Sequence, residues 1–117
     1  MSLQFHNTLS KTVEKFEPLD PELVTIYSCG PTVYDHVHIG NLSAFIAADI
    51  LRRAVKANGM DTKHVMNFTD VDDKTIRRSR ETYPSLDAMD ALRKLTTTYG
   101  DLFLKDMDAI GNDTSAL

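Results

Sequence analysis

A chain of 117 residues, 42% hydrophobic and 26% charged, has the composition of one globular domain and can bury a modest core. Its single cysteine excludes an internal disulfide framework, and no apolar run approaches the ~20 residues of a membrane-spanning helix. A formal net charge of −4 excludes a general nucleic-acid coat but leaves room for a localised tRNA or nucleotide site.

The first residues lack the basic-then-apolar layout of a signal peptide, so a cytoplasmic protein with no membrane partner is expected. Residues 3–9 are expected to form a short edge strand. Pro18 and Pro21 bracket a loop. Residues 23–28, rich in β-branched and aromatic side chains, read as a buried strand that breaks at Cys29-Gly30-Pro31. Residues 32–38 read as a loop, and a helix begins near Ile39–Asn41. Its apolar positions Leu42, Phe45, Ile46, Ile50, Leu51, Ala54 and Val55 recur at helical spacing, and Asn58-Gly59 supplies a stop.

Residues 62–68 read as a second strand. Strand, loop, helix and strand make a βαβ unit, which implies a parallel sheet with a right-handed crossover. Asp72 or Asp73 can cap a short helix that runs to about Glu81, before Pro84. Ser85 or Asp87 can cap a longer one whose apolar stripe from Leu86 to Met107 is read as core, with Gly100 weakening its middle. Gly111-Asn112 ends it, and a polar tail follows from Asp113 to Leu117. The expected fold is α/β with a Rossmann-like parallel sheet. Residues 1–117 would form its first half, because doubly wound domains pair two such units and bind ligands in the crevice between them. The chain is therefore expected to be a truncated domain, and the bare edge of its half sheet should favour self-association.

The chemistry concentrates between Tyr27 and Asn41, at the carboxyl end of the first buried strand, where open α/β sheets bind ligands. His38 and Asn41 lie three apart at the expected helix start, so both can face one phosphate. The unpaired N–H groups there favour an anion. Gly40 lacks a Cβ and lets a flat ring or a phosphate approach the backbone.

The run Tyr27-Ser28-Cys29-Gly30-Pro31-Thr32-Val33-Tyr34-Asp35, followed by His38-Ile39-Gly40-Asn41, strongly resembles the cysteinyl-tRNA synthetase family of class I aminoacyl-tRNA synthetases. His38–Asn41 is similar to the class signature His-Ile-Gly-His, here ending in Asn. Asn67-Phe68-Thr69-Asp70-Val71-Asp72-Asp73-Lys74 and the opening Phe5–Ser10 resemble the same family.

The resemblance implies the N-terminal half of a class I catalytic domain and a two-step reaction. Cysteine and ATP, the latter entering with magnesium, would form cysteinyl-adenylate, and the cysteinyl group would pass to tRNA(Cys). His38 and Asn41 would be catalytic. Together with Ile39 and Gly40 they would bind ATP. Cys29, Gly30, Thr32 and Thr69 would contact cysteine. Cys29 would also be the first ligand of a zinc ion whose remaining ligands are missing from this chain, since thiolate suits zinc and a zinc with an open position can take the substrate sulfur.

Each of these residues also has a plainer reading. Cys29 could be a small core hydrophobe, His38 a surface or capping histidine, and His36 a pocket-rim or ordinary loop residue. Asp35 could cap the following helix. Asp70, Asp72 and Asp73 suit capping better than metal binding. Lys74, Arg77, Arg78 and Arg80 read first as a solvated face and second as a tRNA contact.

The sequence also departs from the family pattern. There is no second cysteine, and His6 and His64 stand outside the ligand motifs. A Lys-Met-Ser-Lys-Ser loop is absent, and Ser43 stands where the family often has Arg. The 117 residues alone are therefore expected to be inactive. Two alternatives share this sequence: a ligase joining cysteine to an amino sugar through the same adenylate, and a non-catalytic stand-alone nucleotide- or partner-binding module.

Overall fold

Among the described residues, 3–114 of a computed structural model, the elements are β1 (Gln4–Asn7), β2 (Thr12–Lys15), β3 (Leu23–Ser28), α1 (Ile39–Ala57), β4 (Asp61–Met66), α2 (Asp73–Thr82) and α3 (Ala88–Ala109). The expected unit is present: β3 and β4 pair in parallel, from Leu23 opposite Asp61 to Ser28 opposite Met66, with α1 between them in sequence. Parallel pairing continues past the strand ends in an isolated bridge between Thr32 and Thr69. This is the α/β architecture read from the sequence.

Two expectations about strands need correction. The edge strand over residues 3–9 is one arm of an antiparallel hairpin, β1 with β2, in which Gln4 opposes Lys15 and Asn7 opposes Thr12. Lys11 makes its turn in the left-handed region at φ 61°. β3 is not buried on both faces: Val24 is buried, while Leu23, Thr25 and Tyr27 on the opposite face are exposed. The accessible surface of 8091 Å² accordingly exceeds the roughly 6400 Å² expected of a compact protein of this mass.

The helix boundaries follow local chemistry. His38 caps α1, and Gly59 beyond its end takes φ +85°, which costs glycine least. Asp72 caps α2 by accepting from the Lys74 N–H at 2.7 Å, and Asp87 caps α3 by accepting from the Met89 N–H at 3.0 Å. The cap of α1 is thus His38 and not Asp35, whose Oδ1 accepts from the neighbouring His36 N–H at 2.8 Å.

Phe45 of α1 meets Phe103 of α3 edge-to-face at 5.0 Å, and Met107, Met66 and Leu42 complete that core. α2 lies along α3, with Thr75 and Ser79 buried on one helix and Ala91 and Leu95 on the other. Both buried hydroxyls donate within their own helix turn, to Asp72 O and Ile76 O. The α3 stripe is core only in part, since Leu86 and Met89 are exposed. Ile50 of α1, also read as apolar-face, is 60% exposed.

A buried ion network ties α1 to the end of α3. The Asp49 carboxylate accepts from Arg52 at 2.8 and 3.1 Å and from Arg53 at 2.5 Å. Arg53 also donates to Gly111 O, and Arg52 pairs with Asp113 at 3.1 Å. Asp113, the first residue of the polar tail, is thus exposed but anchored by Arg52; residues 115–117 of that tail lie outside the described residues. Burial by itself would raise the Asp49 carboxyl, but the hydrogen bonds and charges of Arg52 and Arg53 outweigh it and hold the group below its ordinary value.

Candidate functional site

Beyond the carboxyl ends of β3 and β4 lies a cleft of about 510 Å³. Cys29, Gly30, Thr32, His38, Gly40 and Asn41 all line it, so six of the eight residues singled out by sequence meet at one place. Ile39 and Thr69 are not part of its wall. Ile39 is 77% exposed at the first turn of α1, and Thr69 pairs with Thr32 in the isolated bridge.

The first turn of α1 organises one side of the cleft. His38 has extended backbone, φ −112° and ψ 170°. Its Nδ1 accepts from the Gly40 N–H at 3.1 Å, while Asn41 Oδ1 accepts from the His38 N–H at 3.3 Å. This reciprocal pair is a capping box built from His and Asn instead of Ser and Glu.

The geometry fixes the His38 tautomer. A ring nitrogen that accepts from a backbone N–H carries no proton, so the neutral ring holds its proton on Nε2 and is a donor there. With Oδ1 of Asn41 committed to the cap, its Nδ2 group is the part left to donate. Gly40 has a specific task as well: a Cβ on it would stand 2.9 Å from His38 Cε1 and 3.0 Å from Nδ1. The flat ring that needs its bare backbone is thus the chain's own imidazole. Ser43 donates to Gly40 O at 2.8 Å, which ties this turn down further.

The other side is the corner Cys29–Thr32. A Cβ on Gly30 would fall 1.8 Å from Asn67 O, so only glycine fits where the two strand ends converge. The backbone of residues 31–33 is stitched to Thr69 from both directions, by Thr69 N–H to Pro31 O at 2.9 Å and Val33 N–H to Thr69 O at 3.2 Å. The Cys29 thiol is free and exposed, not packed in a core.

Around the rim, His36 stacks edge-on against Tyr99 of α3 at 5.4 Å. Lys74 differs from the other basic residues of α2. It lines the cleft, with its Nζ 5.4 Å from the centre of the Tyr34 ring, whereas Arg77 lies on an exposed face beside Glu81. Asp70, Asp72 and Asp73 form no metal cluster. Among the described residues, no three His, Cys, Asp or Glu side chains gather in a way that could hold an ion.

Sequence reasoning gave Asn67 no role, yet it is the most connected side chain of the corner. Its Oδ1 accepts from Tyr27 OH at 2.8 Å and from the Gly30 N–H at 3.2 Å. It also missed the pair beneath, Ser28 Oγ with His64 Nε2 at 2.7 Å. Only the alternation of β4, which turns His64 toward α1, could have signalled that pair.

A second, more apolar cleft of about 660 Å³ lies between the β1–β2 hairpin, the 16–20 loop and β3. It contains none of the eight candidate site residues.

Residues 15–116 match the family described as tRNA synthetases class I (C) catalytic domain. Over 106 residues the chain is 47% identical to the cysteine–tRNA ligase of Solibacter usitatus, covering 91% of this chain and 22% of that protein. It is 46% identical over 110 residues to the cysteine–tRNA ligase of Koribacter versatilis, covering 94% of this chain and 21% of that one. With the enzyme of the same name from Brachyspira hyodysenteriae the identity is 44% over 107 residues, 92% of this chain and 21% of the relative. The chain thus spans about a fifth of the length of these curated relatives.

Proposed function

The chain belongs to the family of class I tRNA synthetase catalytic domains, and from that premise we propose that it forms part of a cysteine–tRNA ligase acting in the cytoplasm. In the first step a carboxylate oxygen of cysteine attacks the α-phosphorus of ATP. The new P–O bond replaces the one to the bridging oxygen, and pyrophosphate leaves with that electron pair. In the second step a hydroxyl of the terminal tRNA ribose attacks the cysteinyl carbonyl carbon, and AMP leaves.

The observation that carries this reading is the His38 cap. Nε2–H of His38, Nδ2 of Asn41 and the electropositive start of α1 converge on one side of the cleft. Negative charge gathers on the α-phosphate in the transition state, and donors already fixed in place lower that barrier without reorganising. Ile39 and Gly40 contribute backbone of the same turn to the nucleotide. Gly30 and Thr32 form the amino-acid side, with Thr69 supporting Thr32 from outside the wall.

Cys29 takes one ligand position on a zinc ion in this proposal, and ATP enters with magnesium. The described residues do not fit a complete zinc centre. Cys29 is the only thiol, and no three suitable side chains come together among them.

The test uses the full-length protein that carries this chain. His38→Asn keeps a good helix cap but lacks the Nε2 donor. Cysteine-dependent exchange of pyrophosphate into ATP should fall by roughly a hundredfold, with cysteine affinity nearly intact. Unchanged exchange would remove His38 from the chemistry. Charging of an amino sugar in place of tRNA would point to the other cysteine ligase.

A further inference from the structure

We infer that Asn67 is a positioning residue for the amino-acid half of the cleft, an inference that rests on the function proposed above. Asn67 directly follows β4, and its side chain reaches across to the end of β3. Gly30 N–H can only donate, so the carboxamide atom facing it must be the oxygen, which also takes the Tyr27 hydroxyl. The nitrogen is thereby turned toward Thr69, 3.4 Å from its Oγ1.

One planar group therefore fixes three things at once: the residue two before Cys29, the backbone N–H directly after it, and the hydroxyl of Thr69. Backbone contacts alone would hold residues 31–33. Among the described residues, only the Asn67 side chain bonds on both flanks of Cys29. His38 and Asn41 are held by their own helix turn and share no hydrogen bond with Asn67. The two halves of the cleft are thus positioned independently, and loss of the carboxamide should loosen one and spare the other.

Three variants of the full-length protein test this. Asn67→Ala removes every bond, Asn67→Asp keeps both acceptor bonds and loses the donor, and Tyr27→Phe removes one bond with little risk to folding. Backbone hydrogen exchange over residues 28–33 is read by mass spectrometry, alongside KM for cysteine and for ATP. Asn67→Ala should exchange faster there and raise the cysteine KM about five- to tenfold, with kcat and the ATP KM within about twofold. Asn67→Asp should restore the protection and most of the KM, and Tyr27→Phe should fall between them. Unchanged exchange in Asn67→Ala overturns the inference. So does a rise in the ATP KM equal to that for cysteine, because that would be general loosening. If the wild-type protein ignores cysteine, the functional reading above fails, while lost protection in Asn67→Ala still upholds Asn67 as the group that fixes the corner.

Discussion

The imidazole of His38 closes over Gly40, accepting the glycine's N–H at 3.1 Å while lying where a Cβ would stand 2.9 Å away. Folding and chemistry therefore make opposite demands at Gly40. Its φ is not positive, so alanine suits the helix backbone and by propensity would stabilise it by up to about 1 kcal/mol. The same methyl group would push the imidazole off its cap. Gly40→Ala should leave the melting temperature nearly unchanged, the gain in propensity offset by the lost cap, while lowering cysteine-dependent pyrophosphate exchange at least about tenfold, given what such donors contribute. A joint assay of thermal unfolding and exchange checks it; equal losses in both would mean that the turn simply unfolds.

Gly30→Ala should behave in the opposite way. The clash there is with backbone, Asn67 O at 1.8 Å, which cannot rotate aside. Relief requires the ends of β3 and β4 to part. A loss of at least about 2–3 kcal/mol is expected, at the upper end of ordinary overpacking. The urea midpoint reads it directly, and a shift under about 0.5 kcal/mol would show that the corner yields more easily than its packing implies.

His64 should make stability depend on pH. Burial lowers its proton affinity below the ordinary 6.5, the charge of Arg52 adds to this, and Asp49 opposes it. Below pH 6.5 the unfolded chain takes up a proton at this position that the folded chain resists. Stability contributed here is therefore full above the unfolded value and declines as pH falls toward the folded one. His64→Gln retains a partner for Ser28 and should flatten the slope of unfolding free energy in the acid range just below pH 6.5. An identical slope in the variant would assign the dependence to other groups. Asp49 adds a separate loss only in more acidic solution, below its ordinary 3.8.

What could be read from the sequence was local. Gly59 and Gly111 mark helix ends through their backbone freedom and Asp72 and Asp87 through carboxylate caps, and the structure places those ends there. β2 escaped notice because Thr12–Lys15 is exposed throughout and shows no alternation, and Lys11 is an unusual residue for a left-handed turn. The Arg53 bond to Gly111 joins positions 58 apart and the Tyr27 bond to Asn67 joins positions 40 apart, distances at which spacing carries no information. At His38 the bland reading does not exclude the functional one: the residue caps the helix through Nδ1, which leaves Nε2 to donate, and it lines the cleft.

The parallel pairing of β3 with β4 also bears on the order of events in folding. Each registered pair is 38 residues apart, as Leu23 is from Asp61, so closing the sheet carries the entropy of a long loop. A helix between the strands shortens that loop, and α1 carries its own start and stop signals, so it can form before the strands meet. The His38 turn of the cleft belongs to that helix. The Cys29–Thr32 corner depends on contacts to residues 67–69 and can take shape only once the sheet has closed. The two halves of the cleft are thus expected to form at different moments of folding, the His38 turn early and the Cys29 corner late.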